Sequence, residues 1–212
     1  MANDDLGNTL TGDDSLEFRE FTDPPVDPIP LLKSWFEQAE QADFSEPMAM
    51  VLATSGADGA PSTRIVLVKR TDGSGVLFGT HSGSRKGREF SESASAAGTF
   101  YWRETMQQVN LAGTIEELEP ELSDELFDRR TDLSKAATRA SRQSELLESV
   151  DGLRADIDAD LAAGDLSRPE NWAGYRLKID RVEFWHGSRD RIHRRLEYSL
   201  GPDGWSSRRL QP

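Results

Sequence analysis

The sequence predicts a mainly β, antiparallel α+β fold, a small barrel with helical additions, and two observations carry that prediction. Short apolar or alternating segments recur along the chain, at 48–55, 62–70, 76–80, 97–102, 107–118, 175–186, 191–199 and 205–210. Tight-turn sequences separate several of them: Asp58-Gly59, Thr71-Asp72-Gly73-Ser74-Gly75 and Gly201-Pro202-Asp203-Gly204. Strands joined by such short turns pair antiparallel. Six or so strands with helices between them make a small barrel with helical additions.

The elements follow in order. Residues 1–27 hold eight acids, one base (Arg19) and few apolar residues, which predicts a disordered or loosely attached acidic arm. Residues 28–212 then form one domain, a length that suits a single sizeable core. Residues 28–42 read as an amphipathic helix, because Leu31, Leu32, Trp35, Phe36 and Ala39 recur at helical spacing. After the strands at 48–55, 62–70 and 76–80, Ser84 reads as the N-cap of a short helix reaching about Ser93. Residues 121–163 read as a short acidic helix, a polar Arg/Ser-rich connection, and a longer helix from Ser144. The final strands close the chain.

Composition removes several function classes. The net charge is −13, from 38 acids and 25 bases, a poor basis for binding nucleic acid, which needs clustered cations against phosphates. There is no cysteine, so disulfides, thiolate metal sites and a cysteine nucleophile are excluded. His81, His186 and His193 are the only histidines and form no pair at metal spacing, which argues against a metal enzyme. No apolar run approaches the roughly 20 residues of a membrane span. The acidic N-terminus lacks the features of a signal peptide, and a cytoplasmic protein is expected.

Against that acidity stand two basic islands. Residues 61–90 carry Arg64, Lys69, Arg70, Arg85, Lys86 and Arg88 against Asp72 and Glu89, and residues 176–212 carry nine bases against five acids. The competing readings are ion pairing within the chain and a small anionic ligand. Arg64 and Lys69 bracket an apolar strand five residues apart, hence on opposite faces of a regular strand unless it bulges or ends at a cleft. Gly83-Ser84-Arg85-Lys86 opens a helix, whose free amides and dipole favour an anion, with Arg85 supplying a fork. Gln108 lies in a strand as a possible donor to a polar ligand edge, and Ser144 reads equally as a helix cap. Arg191, His193 and Arg195 fall on one strand face at period two, an arrangement an anion would neutralise; pairing with Asp190 or Glu197 is the alternative. No hydrolase triad or Walker loop is present, so the chemistry is expected from a cofactor.

The order and spacing of RIVLVK (64–69), GSRK (83–86), QQV (107–109), SRQS (141–144), VEFW (182–185), RIHRR (191–195) and the terminal RRLQP (208–212) resemble the pyridoxamine 5′-phosphate oxidase family over about residues 24–212. The resemblance implies an antiparallel FMN-binding split β-barrel, homodimeric, with FMN at the subunit interface and O₂ as acceptor. By position, Arg64, Lys69, Thr80, Arg85, Lys86, Gln108, Gln143, Ser144, Trp185 and Arg195 would contact FMN. Lys69, Arg130, Ser134, Arg191 and His193 would face the substrate.

The departures lie on the substrate side. Leu126 stands where the family has a Tyr that grips the substrate phosphate, and is expected to leave an apolar wall. Gly79 stands where an aromatic is common, and an acidic arm replaces a basic one. YWRETMQQV, with Gln107 in place of Arg, and ATRASRQSELL are more similar to the flavin oxidases of phenazine biosynthesis. That likeness implies aromatising oxidation of a reduced phenazine carboxylic acid, with Lys69, Arg191 and His193 on its carboxylate. The alternatives are pyridoxamine or pyridoxine 5′-phosphate oxidation, and flavin binding without turnover.

Overall fold

The computed structural model describes residues 10–42 and 44–212. Among them one antiparallel sheet has nine strands rather than six or so: β1 (Ala49–Ser55), β2 (Pro61–Leu67), β3 (Arg70–Thr71), β4 (Gly75–His81), β5 (Ser95–Trp102), β6 (Gln107–Glu117), β7 (Trp172–His186), β8 (Arg194–Gly201) and β9 (Gly204–Arg209). Five α-helices accompany it: α1 (Pro28–Gln41), α2 (Arg85–Glu92), α3 (Pro120–Asp128), α4 (Asp132–Ala140) and α5 (Val150–Ala163).

The strand order is β2-β1-β5-β6-β7-β4-β3, with β8 on β7 and β9 on β8. Its two ends, β2 and β3, are consecutive in sequence. The chain passes between them at Val68 and Lys69, whose amides bond to Met48 O at 2.9 Å and Leu77 O at 2.7 Å. The sheet is therefore curled until its ends meet. The strand expected at 62–70 is broken there because its second part serves a different neighbour. Strand β7 is the spine. It pairs with β6 along one edge; along the other it takes β4 over its first half and β8 over its second. The change of neighbour coincides with a bulge at Ala112/Gly113, where a Cβ on Gly113 would lie 1.8 Å from Lys178 O.

Helix α1 begins where the Asp27 carboxylate accepts the Ile29 amide at 2.9 Å, with Pro28 in the first turn. It buries Leu32, Trp35, Phe36 and Ala39 in the main core. There Trp35 meets Phe184 at 5.0 Å and Phe36 meets Phe100 at 4.7 Å, edge to face. A second, smaller cluster of Leu77, Leu118, Leu126, Phe127 and Trp172 seats α3 on β4 and β7.

The N-terminal arm differs from expectation. Its residues 1–9 lie outside the described residues, but 10–27 are packed against the barrel. Phe21 is buried in the main core, and Phe18 lies against Trp35 at 5.3 Å and His186 at 4.8 Å. Trp35 Nε1 donates to Glu20 at 2.6 Å, and the Tyr198 hydroxyl donates to Pro25 O at 2.9 Å. Two phenylalanines, Phe18 and Phe21, outweigh the segment's polar composition.

Candidate functional site

The site starts at the N-terminus of α2. Ser84 caps the helix, accepting from the Gly87 amide at 3.2 Å and donating its hydroxyl to His81 O at 2.7 Å. Cap and first turn thus place Arg85 and Lys86 beside the end of β4. Lys86 is buried, and its ammonium donates to Gln143 Oε1 at 2.8 Å, Thr80 Oγ1 at 2.9 Å and Ser84 Oγ at 3.3 Å. Burial first, then the nearby Arg64 charge, lower its pKa to about 8 against the pull of Glu89. The Arg85 amide donates to Ser144 Oγ at 3.1 Å.

Glu89, one turn along α2, organises the two arginines. Its buried carboxylate accepts from Arg85 Nε at 2.9 Å, Arg64 at 3.2 Å, Ser62 at 2.7 Å and the Thr54 hydroxyl. Burial pushes its pKa up, but the hydrogen bonds from Thr54, Ser62, Arg85 and Arg64 outweigh it and hold the group at about 2. Arg85, fixed through Nε, keeps its two terminal nitrogens for the cleft. Sequence reasoning missed Glu89; the available signal was its position four residues after Arg85 on a helix.

Arg64, Lys69, Thr80, Arg85, Lys86, Arg130, Gln143 and Ser144 all line one cleft of about 480 Å³. The break after β2 is what lets Arg64 and Lys69 share it. Gly79 lines it too, and cannot carry a side chain: a Cβ there would lie 2.1 Å from the Trp172 ring. Arg130 is seated between Phe127 and Trp172, 5.7 and 5.5 Å from their ring centres, and donates to Thr138 Oγ1 at 2.7 Å and Ser134 O at 3.1 Å. Its Nε is buried with no hydrogen-bond partner among the described residues.

Three expectations fail here. Ser134 does not line the cleft; its hydroxyl bonds with Thr131 Oγ1 at 2.9 Å, at the start of α4. Leu126 makes no wall to the cleft, because it is buried in the second cluster against Gly174. Ser144 caps no helix: Ser149 caps α5, while Ser144 adopts φ 75° in the connection and turns its hydroxyl to Arg85.

Gln108, Trp185 and Arg195 occupy another place. They sit side by side across β6, β7 and β8, on one outer face of the sheet, and none lines the cleft. Trp185 is twelve residues along β7 from Ala173, the partner of Thr80, or about 40 Å of extended strand. Arg195 is held by Glu183 at 2.7 and 3.0 Å, and that hydrogen-bonded pairing raises its pKa. His193 leans on Trp185 with ring centres 5.0 Å apart. The period-two face expected for Arg191, His193 and Arg195 does not form. Strand β8 begins at Arg194, and Arg191 lies in the preceding turn at φ 70°.

The cleft fits a phosphate monoester. Five cations line it, the one carboxylate beside them, Glu89, is already engaged, and the Lys86 ammonium is buried against neutral oxygens alone. A dianion would balance that charge, and the α2 amides and the Arg85 fork match its oxygens. The row, with an amide and an indole on one face, fits the edge and plane of a polar aromatic ring. FMN carries both parts.

A curled antiparallel barrel with a cation-lined cleft at a short helix's N-terminus is the architecture these elements build. Residues 36–160 match the pattern of pyridoxamine 5′-phosphate oxidase, and residues 172–212 that of the pyridoxine 5′-phosphate oxidase C-terminal dimerisation region. The chain belongs to the pyridoxamine 5′-phosphate oxidase family, and its fold is the family's split barrel. It is 40% identical over 208 residues to a dihydrophenazinedicarboxylate synthase of Pseudomonas chlororaphis, covering 98% of this chain and 94% of that one. It is 42% identical over 189 residues to a pyridoxine/pyridoxamine 5′-phosphate oxidase of Rubrobacter xylanophilus, covering 88% and 87%. The crystal structure of PhzG from Burkholderia lata in complex with tetrahydrophenazine-1-carboxylic acid superposes with a TM-score of 0.92 at 43% identity, covering 95% of this chain and 100% of that one.

Proposed function

We propose that this protein is an FMN-dependent oxidase that aromatises reduced phenazine carboxylic acids in phenazine biosynthesis, acting as a homodimer. The observation that carries this reading is the full-length likeness to PhzG, whose structure holds a tetrahydrophenazine carboxylic acid. The residue type at position 126 agrees with it, since a leucine offers no hydroxyl to a substrate phosphate. Pyridoxamine or pyridoxine 5′-phosphate oxidation is the second reading, favoured by the 42% identity to such an oxidase and by Arg130 in the cleft.

FMN, when bound, would supply the redox chemistry, the two-electron exchange between substrate and O₂. The chain's residues bind and orient. Arg64, Arg85, Lys86 and Ser144, with Thr80 and Gln143, take the phosphate end; Gln108, Trp185 and Arg195 take the ring. Lys69, Arg191 and His193 hold the substrate carboxylate, and no side chain is needed as a nucleophile.

The geometry supports the dimer, as does the likeness of residues 172–212 to a dimerisation region. Cleft edge and ring row belong to one continuous outer face, on which Ile65, Leu67, Val51 and Tyr101 are exposed. A chain cannot fold that face onto itself, whereas a two-fold related copy lays its row against this cleft. Exposed apolar residues on such a face fit burial between copies.

The test is O₂ uptake by the purified yellow protein on both substrate classes. Turnover of tetrahydrophenazine-1-carboxylic acid, with little on pyridoxine 5′-phosphate, is expected. The opposite preference promotes the second reading.

A further inference from the structure

The acidic arm makes a specific set of contacts that the cofactor site does not use. Residues 11–13 are fastened to the turn between β5 and β6. Arg103 donates to Thr11 Oγ1 at 3.4 Å, and the Asp13 amide donates to Glu104 O at 2.8 Å. Gly12 is pressed so close that a Cβ would lie 2.2 Å from Arg103 O. From this anchorage the arm reaches the turn between β7 and β8, residues 187–193. The Arg189 amide donates to Asp14 Oδ2 at 3.2 Å, and the Arg189 guanidinium donates to Gly12 O at 3.2 Å. Beyond the turn, Arg194 donates to Leu16 O at 2.9 Å. The arm thus grips both ends of the segment that carries Arg191 and His193.

That segment needs holding. Arg191 adopts φ 70°, a left-handed conformation that a non-glycine residue keeps only when its surroundings impose it. The Ser188 amide donates to His193 Nδ1 at 3.0 Å, so the neutral imidazole carries its proton on Nε2, the nitrogen left for a ligand. A displaced Ser188 would release both the ring's orientation and its tautomer, and Ser188 adjoins Arg189.

We infer that Asp14 is a positioning residue for the substrate: by holding the Arg189 amide it sets the 187–193 turn, and through it Arg191 and His193. This rests on the assignment of those two side chains to the substrate carboxylate. Asp14 also stands 3.9 Å from the Arg189 guanidinium, a long and partly exposed ion pair, but the arm's contribution is the hydrogen bond to the amide and not its general negative charge. Asp14→Asn keeps an acceptor oxygen for the amide, Asp14→Ala removes it, and Asp23→Ala removes an arm charge that touches Arg19 instead.

The experiment compares these variants as FMN-loaded protein. Asp14→Ala is expected to raise KM for tetrahydrophenazine-1-carboxylic acid about tenfold, the effect of one charge-assisted hydrogen bond, with kcat and FMN content unchanged. Asp14→Asn and Asp23→Ala should stay near wild type. Amides 188–192 should exchange hydrogen faster in Asp14→Ala, a readout independent of turnover. An unchanged or lowered KM in Asp14→Ala, or an equal change in Asp23→Ala, overturns the inference. Should wild type leave the phenazine substrate untouched, the proposed function fails, and unchanged exchange at 188–192 in Asp14→Ala would separately remove the role of Asp14.

Discussion

Lys86 is a buried ammonium with no carboxylate within ion-pair distance among the described residues, and this sets how the cleft answers to pH. With its pKa lowered to about 8, it loses its charge, and with it its pull on an anion, progressively as pH rises through that value. A phosphate monoester becomes a dianion above about pH 6. FMN affinity is therefore expected to be greatest between about pH 6 and 8 and to fall above 8, while riboflavin, without a phosphate, shows no such limb. Fluorescence titration across pH measures both; a flat FMN profile through pH 8 would remove Lys86 from the phosphate site. Glu89 acts on the acid side. Its folded pKa is depressed to about 2, so its stabilising contribution is complete above the ordinary value of 4.5 and is lost as pH falls from there toward 2. Glu89→Gln should flatten that part of the stability curve in thermal melts, and Glu89→Ala should cost about 2 kcal/mol, below the range for a fully buried pair because Arg85 can turn to solvent. At this scale the cleft residues were legible because the SRK motif at a helix start has a physical meaning for anions. Arg191 and Ser144 were misplaced because both take left-handed backbone conformations that residue type does not announce.

The strands and their turns were written plainly in alternation and in Asp-Gly and Gly-rich sequences, and eight of the nine strands lie within the segments read from the sequence or extend them by at most three residues. What the sequence concealed were changes of neighbour. The 62–70 segment reads as one apolar run between Arg64 and Lys69, yet hydrogen bonding passes from the β1 side to β4 at Val68 and Lys69. The arm's polarity hid Phe18 and Phe21, two residues enough to dock it. Helix α5 marks the opposite case. It buries no residue, and Arg139, bonded to Asp160 at 3.3 Å and to Ser167 O at 2.8 Å, ties it and the segment after it to α4. Arg139→Ala is expected to speed hydrogen exchange throughout 150–163 while leaving the sheet unchanged. Protection retained in α5 would show that other contacts hold it.

For the whole molecule, the cleft and the ring row stand apart on one curled sheet, and under the proposed function two copies assemble each site. Mixed dimers test this claim directly. Arg85→Ala homodimers should lack FMN; Arg191→Ala homodimers should keep FMN but lose turnover of the carboxylate substrate. In a hybrid of the two, one site joins the damaged cleft to the damaged turn beside the row, and the other joins the intact cleft of one chain to the intact row and turn of its partner. Co-expressed chains pairing at random should recover about a quarter of wild-type oxidation of tetrahydrophenazine-1-carboxylic acid, since half the dimers are hybrids with one whole site each. No recovery in hybrids shown to have formed would mean that each chain builds its site alone, and would contradict the account.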